Sequence, residues 1–137
     1  MRIVDDIALL AGRLLVAALF LPAGFGKVTA PAGFAAFLGS QGLPMPNILA
    51  MAAGAGEIVI ALALILGVVP RLTALATIGF IAVASLISHR YWEVTDATRT
   101  GQYLNFWKNA AIIGGMFFYF ASGAGRISLG GDRSRNI

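Results

Sequence analysis

Two ionisable side chains lie inside long apolar stretches of the sequence. Arg13 lies within the run 7–26, and Glu57 lies near the middle of the run 49–69. Each run is long enough to cross a bilayer, which needs about 20 residues. A charge at membrane depth costs about 2.5 kcal/mol or more, so such a residue usually has a partner and often a function. Because the two charges are opposite in sign, we predict that Arg13 and Glu57 form a buried polar pair.

The buried pair has two roles that the sequence leaves open. As a structural bridge it would fix the register of two helices. As a functional site, Arg13 would attract an anion and Glu57 would take up and release a proton. At about 100° per residue, Arg13 and Lys27 share one stripe of the first helix, and Glu57 shares a stripe of small residues on the second. Both stripes are therefore expected to face the interior of a helix bundle.

A second group of polar residues falls near the outer ends of the predicted helices. We predict that its members form a vestibule above the central pair: Lys27, His89, Lys108 and Asn109. Such donors suit the carbonyl oxygens of a quinone, whose ring aromatic side chains can contact. The alternative is that His89 merely ends a helix at the membrane interface, and that Lys27 and Lys108 extend to lipid head groups.

The elements that must position these residues are apolar helices. Hydrophobic residues make up 58% of the chain and charged residues 12%, with a mean hydropathy of +0.83, which is outside the range of ordinary soluble domains. We predict one domain, residues 1–137, forming an all-α membrane protein: an antiparallel bundle of four transmembrane helices with a short interfacial helix between the first two. The predicted spans are residues 7–26, 48–69, 72–88 and 106–122.

The charge distribution predicts the orientation of the chain. An even number of spans places both termini on one side, and an excess of arginine on that side favours the cytoplasm. A signal peptide is the less favoured interpretation of the first span, because Asp5 and Asp6 interrupt a basic leader. The pI of about 10.1 then reflects topology and contact with anionic lipid, and no nucleic-acid partner is expected.

The residue types that the chain lacks narrow the chemistry. It has no cysteine and one histidine, which excludes thiolate-bound iron–sulfur clusters and bis-histidine haem. One carboxylate within the spans makes a dedicated metal site improbable, and no nucleotide-binding loop occurs. Any redox role must therefore use an exchangeable carrier such as a quinone, or electrons supplied by a partner subunit.

Several short motifs occur in an order that resembles the DoxX family of bacterial integral membrane proteins. The motifs are Gly12-Arg13-Leu14-Leu15, Gly24-Phe25-Gly26-Lys27, Gln41-Gly42-Leu43-Pro44, Glu57, Gly67 with Arg71, His89, Lys108-Asn109, Gly114-Gly115, and the closing run 123–129. The resemblance implies a four-helix protein of the bacterial inner membrane. It also implies a relation to the DoxD subunit of thiosulfate:quinone oxidoreductase and to other membrane redox complexes.

Three classes of function remain open at this point. The first, which we predict, is a membrane subunit of a quinone-linked redox complex resembling thiosulfate:quinone oxidoreductase. The second is a non-catalytic membrane scaffold for a redox enzyme. The third is a small transporter or lipid-binding membrane protein. Membrane lipids are expected partners in each case, and a redox partner subunit and a homo-oligomer are compatible with all three.

Overall fold

The computed structural model describes residues 2–130, and within them the chain is helical with short connections. Five α-helices are present in this range: α1 (Ile3–Thr29), α2 (Ala32–Ser40), α3 (Pro46–Leu66), α4 (Pro70–Ser88) and α5 (Arg99–Ser122). A single 3-10 turn, Tyr91–Glu93, lies between α4 and α5, and no strand occurs among the described residues. The all-α prediction is confirmed.

The turn between α3 and α4 shows how local sequence sets the helix ends. Gly67 adopts a left-handed conformation with φ of 67°, which ends α3, and Pro70 begins α4 with a backbone angle suited to a first helical turn. The predicted second span, 48–69, therefore extends three residues too far. Although the connection between α3 and α4 is short, the two helices are not in close contact along their lengths.

The most extensive helix contact joins α1 and α3. The two helices run in opposite directions, because Gly24 lies against Gly54 whereas Arg13, earlier in α1, lies against Gly67 after the end of α3. Glycines make this contact close: a Cβ atom on Gly24 would lie 2.7 Å from the carbonyl oxygen of Gly54, and one on Gly54 would lie 2.8 Å from the Cβ of Lys27. Small residues at such a crossing let two backbones approach each other. The crossing point therefore fixes the register of α1 against α3.

A second antiparallel pair consists of α4 and α5: Arg71 at the start of α4 lies over the Phe120 ring near the end of α5, and His89 after α4 bonds to Gln102 near the start of α5. The hydroxyls of Thr77 and Ser85 in α4 donate to carbonyls four residues earlier, so these buried groups are satisfied within their own helix. The two helix pairs meet where Phe20 of α1 contacts Phe80 of α4, with ring centroids 5.9 Å apart. The main core lies at this junction and contains Ala17, Phe20, Ile60, Ala61, Leu64, Ala74, Ile81, Met116 and Tyr119.

Within residues 2–130, three helices are long and apolar enough to cross a membrane: α1, α3 and α4 with the turn that follows it. Large apolar side chains on the outer faces of the helices are exposed, for example Leu15, Val59, Leu72 and Phe118. The fifth helix is 24 residues long but carries Asn105, Lys108 and Asn109 in its first half. The chain is a multi-pass membrane protein.

The connection between α1 and α3 contains the short helix that the sequence predicts there. Ala35 and Leu38 of α2 are buried against Ala50 of α3. At the same end of the molecule, the 3-10 turn packs aromatic rings against α5, with the Tyr91 and Tyr103 centroids 4.9 Å apart. A position of α2 at the membrane interface stays a prediction.

Candidate functional site

The buried carboxylate of Glu57 is paired with Lys27. The Lys27 Nζ atom lies 2.9 Å from Oε1 and 2.8 Å from Oε2 of Glu57, whose residue is 6% exposed. The same ammonium lies 4.9 Å from the centre of the Phe34 ring, a distance that suits a cation–π contact. No ion pair joins Arg13 to Glu57 in the part of the chain that the structure describes, so the predicted central pair is wrong in its cation.

Side-chain direction explains why Lys27, and not Arg13, reaches Glu57. Side chains on an α-helix lean toward its N-terminus. Because α1 and α3 are antiparallel, Lys27 and Glu57 lean toward each other across Gly54, whereas Arg13 leans toward the opposite end of the molecule. Arg13 and Lys27 share a stripe but are separated by about 21 Å along the helix.

Arg13 is buried where α1 passes the turn between α3 and α4. The residue is 2% exposed, and its Nη2 atom donates to the backbone carbonyl of Ile127. Its guanidinium lies against the α-carbon of Gly67, where a Cβ atom would overlap with Nη1. Gly67 is thus required twice, for its left-handed backbone and for the space that Arg13 occupies.

Asp6 is a buried polar residue that the sequence analysis did not assign to a site. It is 1% exposed, and it accepts hydrogen bonds of 2.8 Å from both the backbone N–H and the Nε of Arg126. The amide of Leu129 donates to the carbonyl of Leu66 at 2.8 Å. These contacts dock the segment 123–130 against α1 and the α3–α4 turn. The seven-residue spacing from Asp6 to Arg13, which places both on one helix face, was the available signal.

A cleft of about 160 Å³ lies between the two helix pairs beside the Lys27–Glu57 pair. Glu57 contributes to its lining from α3, and Asn109 contributes from α5. The Asn109 amide nitrogen donates to the Ser85 hydroxyl at 2.9 Å, which orients the side chain. The remaining lining is apolar and consists of Leu19, Phe20, Ala23, Phe80, Ile81, Ala84 and Ile112. The cleft therefore combines one charged and one amide group with aromatic walls.

The other predicted vestibule residues do not line this cleft. His89 Nδ1 lies 2.8 Å from Gln102 Oε1, a contact that ties the end of α4 to α5. Lys108 is exposed, and its Nζ lies 3.1 Å from Asn105 Oδ1 on its own helix. The structure thus joins Lys27 to Glu57 and brings Asn109 to the same cleft, but it does not bring His89 or Lys108 there. Among residues 2–130, no three His, Asp or Glu side chains gather as a metal site would require.

Comparison with known proteins agrees with the helical, membrane-embedded character of the chain. The family model described as DoxX matches residues 8–90. The inner membrane protein YphA of Escherichia coli (strain K12) is 32% identical over 123 residues, which cover 90% of this chain and 88% of the relative. The inner membrane protein YqjF of the same strain is 31% identical over 140 residues, which cover 99% and 98%. No solved structure matches the chain. The chain therefore belongs to the DoxX family.

Proposed function

We propose that this protein is a subunit of a quinone-linked redox complex in the bacterial inner membrane, and that its cleft holds the head group of the quinone. One observation carries the proposal: the paired carboxylate of Glu57 lines a cleft with aromatic walls together with Asn109. Membership of the DoxX family and two relatives named as inner membrane proteins support the location. The resemblance to subunits of thiosulfate:quinone oxidoreductase suggests a sulfur compound as the electron source.

The residues of the cleft suit the recognition of a quinone. A bound quinone would supply two carbonyl oxygens and take up two electrons and two protons on reduction. Asn109 carries a hydrogen-bond donor for such an oxygen, and the Phe20 and Phe80 rings offer apolar surface. Because this chain has no cysteine, a partner subunit would supply the two electrons, and the two protons would come from the aqueous phase.

The proposal includes a four-span topology in which α5 is the last transmembrane helix. Its polar first half faces α4, where Asn109 bonds to Ser85 and Gln102 bonds to His89. These two bonds turn Gln102 and Asn109 toward α4 and away from lipid, which is what polar residues of a membrane helix require. We further propose that α2 lies at the membrane interface and that both termini are cytoplasmic, as the arginine distribution favours.

Quinone binding to neighbouring variants of α5 tests the proposal. Asn109→Leu removes a donor from the cleft, and it should weaken the binding of a short-chain quinone to the purified protein about tenfold. Lys108→Leu is the matched control, because Lys108 is adjacent in sequence but exposed outside the cleft. Fluorescence quenching of the native tryptophans would follow the titration. Absence of saturable binding, or equal weakening by both changes, would refute the quinone site.

A non-catalytic scaffold is the second candidate, and a specific observation favours it. His89 and Lys108, two of the predicted quinone ligands, bond to side chains of this chain away from the cleft. A scaffold would retain its redox partner without quinone. Copurification of the same partner with wild type and Asn109→Leu, together with no quinone in either sample, would support the scaffold over the quinone site.

A further inference from the structure

The guanidinium of Arg13 is buried with unused hydrogen-bond donors. Only Nη2 has an acceptor among the described residues, the carbonyl of Ile127, while Nε and Nη1 have none. The two buried carboxylates among the described residues form ion pairs with other cations, Asp6 with Arg126 and Glu57 with Lys27. A buried charge without a counter-charge costs several kcal/mol. The surroundings of Arg13 therefore favour an anion.

A cavity of about 220 Å³ lies beside Arg13 between α1 and α5. Tyr119 also lines it, and the buried hydroxyl of Tyr119 likewise has no hydrogen-bond partner among residues 2–130. The walls are apolar and include Leu9, Val16, Ile112, Met116 and Phe118. Only Ile112 is shared with the cleft beside Glu57. Unused donors from two helices thus meet at a second, separate cavity.

We propose that this cavity binds the oxyanion head group of a single-chain anionic amphiphile, such as the carboxylate of a fatty acid, through Arg13 and Tyr119. Hydrogen bonds from a guanidinium to a carboxylate are charge-assisted and about twice as strong as neutral ones. The cavity is smaller than sites that enclose a whole drug-sized ligand. It therefore takes the head group and the first methylenes, and the rest of the chain lies in the bilayer.

The rim of the cavity supports an amphiphile over a free inorganic anion. Gly12, Gly115 and Phe118 line the cavity and are exposed on the outer, apolar side of the helices. A chain that leaves the cavity at this rim enters lipid directly and keeps its apolar contacts with the walls. An inorganic anion would lose its hydration and gain nothing from those walls.

Two adjacent glycines of α5 offer a matched pair of variants. An added Cβ atom meets nothing within 4 Å at either Gly114 or Gly115, so a substitution at either position begins in open space. Only Gly115 lines the cavity. Gly115→Leu should therefore obstruct the site while leaving Arg13 and the fold unchanged, and Gly114→Leu should have no effect on binding.

Native mass spectrometry of the detergent-solubilised protein would count bound ligand. Oleate should bind once per chain, Gly115→Leu should weaken binding at least tenfold, and Tyr119→Phe should weaken it about fivefold. Gly114→Leu should bind like wild type, and so should Asn109→Leu, which alters only the other cleft. Inorganic phosphate and oleyl alcohol, which lacks the charge, should not compete.

Four results would overturn the proposal. The first is the absence of saturable oleate binding, and the second is equal binding of oleyl alcohol, which would show that the charge is not recognised. The third is competition by inorganic phosphate at the same concentration, which would identify a free-anion site. The fourth concerns Asp132, a carboxylate that follows the described residues. If oleate bound only to the Asp132→Asn variant, Asp132 would be the counter-ion of Arg13 in the wild-type protein.

Discussion

Two cations on one stripe of α1, the half-buried Lys27 and the buried Arg13, have different kinds of partner. Lys27 is matched by the carboxylate of Glu57 at 2.8 Å, so that charge is neutralised inside the helix pair. Arg13, about 21 Å away along the helix, has one backbone carbonyl as its acceptor among the described residues. The first site combines opposite charges from two helices, and the second combines a charge with the docked segment 123–130.

The difference shows how helix polarity assigns partners. A stripe predicts which residues face the bundle, but the lean of side chains toward the N-terminus decides which neighbour each one reaches. Lys27 therefore reaches the middle of α3, and Arg13 reaches the turn at its end. The Arg13 site depends on a chain segment that follows the last helix, whereas the Lys27–Glu57 site depends on the packing of α1 and α3.

The largest expected effect is the loss of the Lys27–Glu57 ion pair. Glu57→Gln keeps the shape of the side chain but leaves the Lys27 ammonium partly buried without a counter-charge, so we expect a loss of about 3 kcal/mol in the free energy of unfolding. Chemical denaturation in mild detergent would measure it. In a double-mutant cycle, Lys27→Met combined with Glu57→Gln should recover most of the loss.

The same cycle distinguishes the two cations. Arg13→Met combined with Glu57→Gln should give losses that add, because the two residues have separate partners. Strong coupling between Arg13 and Glu57, together with additive behaviour of Lys27 and Glu57, would contradict the pairing described here.

The second largest effect is expected at the crossing of α1 and α3, which positions the Lys27–Glu57 pair. Gly24→Val would place side-chain atoms against the Gly54 carbonyl and the Glu57 Cβ, which are 2.7 Å and 2.8 Å from the Cβ position. We expect a loss of about 2 kcal/mol from overpacking, measured by thermal unfolding. Gly12→Val on the same helix is the control, because its Cβ would meet nothing within 4 Å. Equal losses would show that the close crossing is not what holds α1 to α3.

The sequence predicts the elements and much of the burial, but not the partners. The apolar runs are sufficient to predict that Arg13 and Glu57 are buried and to separate the spans 48–69 and 72–88, between which Pro70 begins α4. The pairing of Glu57 was mispredicted because the reach of each side chain depends on helix register, which the Gly24–Gly54 contact determines in three dimensions. Apolar patterning carries no information on such a contact between distant segments.

The vestibule was also predicted only in part, for a related reason. Depth in the membrane groups His89, Lys108 and Asn109 near one end, yet the rotation of each helix decides which polar groups face the cleft. Asn109 faces it, whereas its neighbour Lys108 is exposed. The role of Asp6 depended on a contact with Arg126, 120 residues away, which local pattern does not indicate.

The third prediction concerns the segment 123–130, which docks beside Arg13 and Asp6. Asp6→Asn should weaken the hold on Arg126, because the amide that replaces the carboxylate loses the charge and one of two acceptor oxygens. Trypsin should then cleave after Arg126 faster than in wild type, as followed by mass spectrometry. Asp5→Asn is the control, since Asp5 is exposed and bonds only to the Arg2 backbone among the described contacts. Unchanged cleavage in Asp6→Asn would indicate that other contacts hold the segment.

The smallest expected effect is at the exposed carboxylate of Asp96, whose hydrogen bonds are as short as those of Glu57. Asp96 accepts from the Thr98 hydroxyl at 2.6 Å and from the Thr98 amide at 2.8 Å, and these bonds lower the pKa of its carboxyl below 3.8. A lowered carboxyl pKa adds stability that is fully present above the ordinary value of 3.8, and this stability is lost as the pH falls from 3.8 through the lowered pKa. Because solvent screens the site, Thr98→Ala should lower the unfolding temperature only slightly at pH 7, and by progressively less as the pH falls below 3.8. A loss at pH 7 as large as that of Glu57→Gln would show that short hydrogen bonds, and not burial, distinguish the strong sites of this protein from the weak ones.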